Sequence, residues 1–286
     1  MKKKIDIKLI ITYIILSVVA IVILFPLLVT VMSAFNGSNT LYSASLIPEN
    51  FTLIGNFQRL FTETSYLRWY FNTFSVATIT MVCGTFVVTI MGYVYSRLRF
   101  KYRRVSVLSL LLVQIIPAGS TLIALYAIAQ SLGIYSSDNP VLLTYMFMIL
   151  IYTTGAIPMN TLLMKGYYDS IPRDLDESAQ IDGAGHLQIF KEIMLPLVKP
   201  MISVIALFSF MGPIGDVIMP NFLISSLSSD HKTLATGLIA LIASPKDASF
   251  NLFAAGSILV AIPAVLLFYK LQRHIMGGLT SGGVKG

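Results

Sequence analysis

Six apolar stretches, at about 9–34, 70–95, 105–130, 140–164, 201–225 and 251–269, divide this sequence, and each is long enough to cross a bilayer. A helix spans the hydrocarbon core with roughly 20 apolar residues. Lipid offers the backbone no hydrogen-bond partners, so each stretch has to satisfy its own backbone and is predicted as helix. The pattern fixes the fold class as all-α, a polytopic membrane protein with six transmembrane helices in a single domain over 1–286. Only 12% of the residues are charged, against roughly a quarter in soluble domains.

The start, Met1-Lys2-Lys3-Lys4, followed by apolar residues, resembles a secretory leader. The apolar run that follows exceeds the roughly 7–15 residues of such a leader, so a retained first span is expected. An even number of spans puts both termini on one side. Sixteen of the twenty Lys and Arg residues lie at the two termini, in the 97–104 turn and in the segment 165–199. Arg59, Arg68, Lys232 and Lys246 fall on the other face. Positive charge accumulates on the cytoplasmic side, which predicts a multi-pass protein with both termini, including the glycine-rich tail 271–286, in the cytoplasm. The net charge of +7 therefore reports topology. It forms no basic groove or aromatic-interleaved patch, and no nucleic-acid partner is expected.

One polar segment, 166–200, interrupts the apolar pattern and carries six of the thirteen acidic residues. Ser170 is a predicted N-cap and Pro172 suits a first helical turn. Asp174, Asp176 and Glu177 put negative charge where a helix dipole favours it. Ile171, Leu175 and Ala179 share one face. Asp182-Gly183-Ala184-Gly185 supplies a tight turn, and a second short helix through Ile189, Phe190 and Ile193 is expected to end before Pro196. The residues alone leave this helix-turn-helix knob open between a solvated linker and a functional element.

The spacing carries a further signal. Glu177-Ser178-Ala179, then Gly183, then Ile193-Met194-Leu195-Pro196 resembles the EAA motif of binding-protein-dependent ABC importers. That pattern reads E-A-A, three residues, G, nine residues, I-x-L-P; Ser178 stands where its first alanine would be. The tail, Gly277 to Gly286, together with the basic N-terminus and the fifth span, is similar to the carbohydrate-uptake permeases, in particular the smaller maltose or maltodextrin-type subunit. The resemblance implies a permease domain in the cell membrane of a prokaryote, forming half of an ATP-driven sugar pathway. It implies Glu177, Ser178, Ala179, Asp182, Gly183, Ala184, Ile193, Leu195 and Pro196 as the contact with the motor. It also implies two cytoplasmic ATPase subunits, a second homologous permease and an extracytoplasmic solute-binding protein, with an outer loop near 226–248 that reaches toward the binding protein. A secondary transporter or channel subunit is the competing class; it would show paired intramembrane charges or inverted repeats.

The fifth span reads Gly212-Pro213-Ile214-Gly215-Asp216, and Asp216 is the one ionisable side chain placed within a span. A carboxylate in a membrane helix faces a polar cavity, a partner or the hydrated rim. Gly212, Pro213, Gly215 and Asp216 are the candidate substrate-pathway residues, and kinks at Pro117 and Pro158 serve either packing or the same pathway. The chain contains no P-loop, no H-E-x-x-H and no nucleophile, base and orienting group outside the bilayer. It is expected to be no enzyme and to need no cofactor. Cys83 is alone and His231 lacks spaced His or Cys partners, so no metal site is expected.

Overall fold

The computed structural model describes residues 7–37, 48, 50–225, 227–243 and 248–281. Lys2, Lys3 and Lys4, Lys246 and Asp247 of the expected outer loop, and residues 282–286 of the tail lie outside them. The described residues are helical almost throughout, with one isolated antiparallel bridge between Asn36 and Phe51. The chain divides into two compact units, Met1–Leu67 with Gly237–Ile262, and Arg68–Thr236 with Pro263–Gly286.

The first unit begins with α1 (Ile7–Ala34). Its side chains are exposed along nearly the whole length, and it is apolar all round, as a lipid-facing helix should be. Thr12 and Thr30 donate to the carbonyls of Lys8 and Pro26, one turn back, which hides their hydroxyls. Where α1 ends, its orphan carbonyls are met by a side chain. Asn56, on α2 (Gly55–Glu63), donates to the carbonyls of Ala34 and Asn36, and Asn251 donates to Asn36 as well. Within the same unit Tyr66 donates to the carbonyl of Gly256 at 2.9 Å. A Cβ at Gly256 would lie 2.4 Å from the Leu238 side chain and 3.1 Å from the Tyr66 ring, so any larger residue would make Leu238 shift.

The second unit carries the rest, its first helix starting at Tyr66 and Leu67 of the first unit. Its helices are α3 (Tyr66–Arg97), α4 (Arg103–Val113), α5 (Ala118–Ser131), α6 (Pro140–Asp169), α7 (Asp174–Ile181) and α8 (His186–Gln188). A π turn (Ile189–Met194) then leads into α9 (Leu195–Leu197), α10 (Lys199–Gly215) and α11 (Ile218–Ile224). Next come α12 (Leu234–Ala243) and α13 (Phe250–Ser281), each beginning in one unit and ending in the other. At Gly92 the backbones of α3 and α6 come close: a Cβ there would meet Met164 at 2.4 Å.

Among the described residues four helices are long and apolar enough to cross a membrane: α3, α6, most of α1 and the first part of α13. A fifth crossing is the pair His186–Leu197 and Lys199–Gly215, bent by 77°. The third expected span, 105–130, is two helices, α4 and α5, parted where Pro117 is extended (φ −62°, ψ 131°) and has no N–H to donate. The fifth expected span, 201–225, is likewise broken into α10 and α11 around Asp216. Continuous crossings at these two positions are thus replaced by interrupted ones.

Two local expectations in the polar segment are corrected. Ser170 caps the end of α6, with its hydroxyl on the carbonyl of Tyr167; α7 starts only at Asp174, and Ile171 lies outside it. The second knob helix does not stop before Pro196 but runs through it. The widened π turn directly ahead relieves the clash between a proline ring and the carbonyl one turn back. Among the described residues the expected outer loop near 226–248 is also largely folded, into a short 3-10 turn, Ser229–His231, and the apolar α12.

Candidate functional site

The knob is held from beneath. Its core joins Val88 and Tyr93 of α3, Met164 and Tyr168 of α6, Ala179 of α7, and Ile189, Met194, Val198 and Ile205 beyond the turn. The Tyr93 ring stands edge-on to Tyr168 at 5.7 Å and tilts against Phe190 at 4.9 Å. Its hydroxyl donates to the carbonyl of His186. Such aromatic pairs add specific geometry to the area they bury.

Charge reinforces the contact. Arg97, the last residue of α3, meets Asp176 at 2.7 Å, and the two side chains are only 6% and 11% exposed. Arg97 also donates to the carbonyl of Ile171 at 2.9 Å. Ser96 donates to Asp169 at 2.6 Å, and Asp169 pairs with Lys165. Burial pushes the Asp176 carboxyl above the ordinary carboxylate range, against the pull of Arg97 and Arg173. A buried charge is tolerable only with its partner in place. The end of α3 and the first knob helix are therefore tied by two groups that need each other.

The turn between α7 and α8 closes as a helix C-cap. Gly183 sits at φ +87°, the N–H of Ala184 reaches the carbonyl of Ala179 at 2.9 Å, and that of Gly183 reaches Gln180 at 3.0 Å. This pattern needs a left-handed residue after the helix, which glycine supplies without a Cβ penalty. Around the turn the predicted residues divide. Glu177, Ser178, Asp182 and Gly183 are exposed, whereas Ala179 is buried and Ala184 and Ile193 are half-buried against the core. Leu195 is half-buried and Pro196 exposed, both just before the bend into α10. Two residues not singled out from sequence complete the exposed face: Ile181 is 86% exposed and Leu187 is 65% exposed. Apolar side chains flanking a carboxylate on a rigid turn make a surface suited to a protein partner.

A second feature lies where the spans break. A cleft of about 540 Å³ is lined from α3, the α4–α5 break, α5, α6 and α10, and reaches Asp216 and Met219. Gly212, Pro213 and Asp216 line it, as does Pro158; Gly215 does not, and at the Pro117 break the lining residues are Gln114 and Ile116. The alternatives of cavity and hydrated rim for Asp216 give way to a more specific arrangement. Its Oδ1 accepts the backbone N–H of Ile218 at 2.9 Å and of Met219 at 3.3 Å, and its Oδ2 accepts the Tyr152 hydroxyl at 3.1 Å. The carboxylate caps α11 and so stabilises the interruption of the span.

At the other end of α3 and α6 the 3-10 turn is strapped down. Arg68 pairs with Asp230, the Trp69 indole donates to Ser229, Asn72 to Lys232, and Tyr145 to His231. Beside it the hydroxyl of Thr73 accepts the N–H of Leu234. Among the described residues no cluster of His, Cys, Asp or Glu could hold a metal ion.

Sequence reasoning missed Arg97 as a partner of the knob because it reads equally well as a topology charge. It missed Thr80, Tyr152 and Ser209 of the cleft because isolated hydroxyls are ordinary in membrane helices.

Residues 89–277 match the family model described as "Binding-protein-dependent transport system inner membrane component". The chain is 46% identical over 275 residues to the maltodextrin transport system permease protein MdxG of Bacillus subtilis (strain 168), covering 96% of this chain and 95% of that protein. It is 42% identical over 289 residues to the galactooligosaccharides transport system permease protein GanQ of the same organism, covering 100% and 99%. Among solved structures it is similar to a chain of a bacterial ABC transporter involved in the import of the acidic polysaccharide alginate. That likeness has a TM-score of 0.71 at 20% identity and covers 92% of this chain and 95% of that one, a likeness of fold.

Proposed function

Since the chain belongs to the family of binding-protein-dependent transport system inner membrane components, multi-pass membrane proteins that transport and do not catalyse, we propose that it is one of two permease subunits of an ATP-driven oligosaccharide importer. The maltodextrin and galactooligosaccharide relatives support a neutral oligosaccharide as cargo. Membership of the family removes the alternative of a secondary transporter or channel. Two cytoplasmic ATPase subunits drive it, a second homologous permease completes the pathway, and a solute-binding protein delivers the sugar to the face that carries Ser229–His231.

The observation that carries this reading is the knob. Glu177, Ser178, Asp182 and Gly183 are exposed on a capped turn, flanked by Ile181 and Leu187, over a base locked to α3 and α6. An ATPase that grips this turn moves the ends of both helices with it. The push passes from α7 through the Asp176–Arg97 pair into α3, and from the π turn through Val198 into α10. At the far end of α10 the chain is interrupted at Asp216, beside the cleft. Motion at the knob thereby reaches the pathway residues Gly212, Pro213 and Asp216, with Gly215 beside them.

The excess of basic residues on the knob side supports placing it in the cytoplasm. A single cysteine at Ser228, which is exposed, in a Cys83→Ala background should react with an impermeant thiol reagent in intact cells. Labelling there only after permeabilisation would reverse the orientation. Co-purification of the chain with ATP-hydrolysing subunits tests the assembly itself, and recovery of the chain without any would remove the importer reading.

A further inference from the structure

From Thr64 to Ser137 the sequence contains no Asp or Glu, yet five cations fall within the eight residues 97–104 of that stretch. Two of the five are used by the fold. Arg97 pairs with Asp176, and Arg103 donates to the carbonyls of Tyr95 at 2.8 Å and Ser96 at 3.4 Å, which pins the turn to the end of α3. The other three, Arg99, Lys101 and Arg104, are exposed and form no ion pair among the described residues. The positive-inside bias accounts for the sign of these charges. It does not account for the apolar surface around them. Phe100 is exposed and tilts against the Tyr95 ring at 6.0 Å, and the exposed Tyr102 ring carries the Lys101 ammonium at 5.4 Å. From this turn α4 rises with no buried residue. Arg104, Leu108 and Leu111 follow i, i+4, i+7 spacing and share one face of it. Both leucines are exposed, as are Val105 and Leu112 beside them.

We propose that this turn is a binding site for an anionic phospholipid, with the head group held by Arg99, Lys101 and Arg104 and an acyl chain laid along the exposed face of α4. The site requires only that the chain spans a bilayer; it depends neither on the cargo nor on which face is cytoplasmic. Aromatic side chains gather where membrane helices meet the head groups, and Phe100 and Tyr102 set the turn at that depth. Each basic residue there adds attraction for an anionic lipid. The two arginines offer a phosphate their planar forks, and Lys101 adds a compact charge between them. A zwitterionic lipid would cover Leu108 and Leu111 but bring no net charge to the three cations. A soluble anion would meet the cations but leave the leucines and both rings uncovered. Only a molecule with a negative head and a hydrocarbon tail answers both parts of the surface at once.

The test places the complete transporter in phosphatidylcholine vesicles with a trace of phosphatidylglycerol that carries a diazirine in its acyl chain, or of phosphatidylcholine labelled the same way. After illumination, cross-links on α4 are mapped by peptide mass. The phosphatidylglycerol probe should mark α4 several-fold more than the phosphatidylcholine probe, and high salt should narrow the ratio. Arg99→Gln, Lys101→Gln and Arg104→Gln should each lower the ratio roughly two- to fivefold. Each leaves the other four cations of the turn in place, so that orientation in the membrane is kept. Removing two exposed cations elsewhere on the knob side, with Lys191→Gln and Lys199→Gln together, should leave the ratio unchanged, and so should inorganic phosphate at matched ionic strength. Equal marking by the two probes in wild type would overturn the site. An equal loss in the Lys191 and Lys199 variant would reduce it to diffuse attraction, and displacement by inorganic phosphate would assign the cations to a soluble anion. Both yields falling together in the Gln variants would mark a displaced α4, and no cross-link from either probe would show that another protein chain covers this face; each of these results also removes the lipid site.

Discussion

The knob and the cleft belong to the same compact unit, yet they differ in how far their polar groups are paired, although the Tyr168 hydroxyl beneath the knob also has no hydrogen-bond partner among the described residues. Beneath the knob Arg97 is matched to Asp176, Ser96 to Asp169, and Tyr93 to the carbonyl of His186. In the cleft the hydroxyls of Thr80 and Ser209 have no hydrogen-bond partner among the described residues, while Asp216 accepts from Tyr152. A paired network fixes a shape, because losing either member strands the other in a low-dielectric site. A buried hydroxyl without a partner is costly. The difference separates a base whose shape is fixed by paired groups from a cleft whose polar groups are less fully paired.

The largest effect is expected at the turn itself. Gly183→Val places a β-branched residue at φ +87°, a region such side chains avoid, and should lower uptake by well over tenfold while the chain still reaches the membrane. Glu177→Lys should do the same without backbone strain, by reversing the exposed charge. ATPase subunits should wash away from both variants in detergent more readily than from wild type. Normal transport by both would separate the knob from the motor.

Next in size is the buried pair. Arg97→Met or Asp176→Leu alone strands a charge and should cost about 3–5 kcal/mol of stability, whereas the double variant should recover most of that loss. A double-mutant cycle on thermal unfolding in detergent measures the coupling. Additive losses would mean that the pair does not tie α3 to the knob. A smaller loss, about 1–3 kcal/mol, is expected for Gly92→Ala, where the new methyl meets Met164. The smallest stability effects belong to the cleft: Thr80→Val and Ser209→Ala should be neutral or slightly stabilising. Marked destabilisation by either would show that these hydroxyls are structural and erase the contrast with the knob.

Much of this could be read from residue order. Apolar length identified α1, α3, α6 and the first part of α13, because lipid demands long uninterrupted helices and leaves little freedom in how to build them. The turn at Gly183 was legible because a left-handed position after a helix calls for glycine. The interruptions were less so. Pro117 and Pro213 mark weak points, but a proline inside a membrane helix is as often bridged as broken; α6, α1 and α13 each carry one without stopping. The outcome near Asp216 depends on Tyr152, sixty-four residues away in sequence, and nothing local announces that pairing. Ser170 shows the reverse failure. Its composition suits a helix start, yet α6 continues up to it, so the serine closes one helix and the next begins at Asp174. Arg97 was visible as a charge but not as a partner, since its contact with Asp176 exists only once α3 and α7 are folded together.

The account stands on the exposed turn being the surface that an ATPase grips. Gln180, exposed beside Ile181, offers a direct test as a single cysteine in a Cys83→Ala background. In inside-out vesicles it should be shielded from a thiol reagent while ATPase subunits are bound and become reactive once they are stripped off, and in intact cells an impermeant reagent should not reach it. Equal reactivity with and without the ATPase subunits, or labelling from outside in intact cells, would contradict the account.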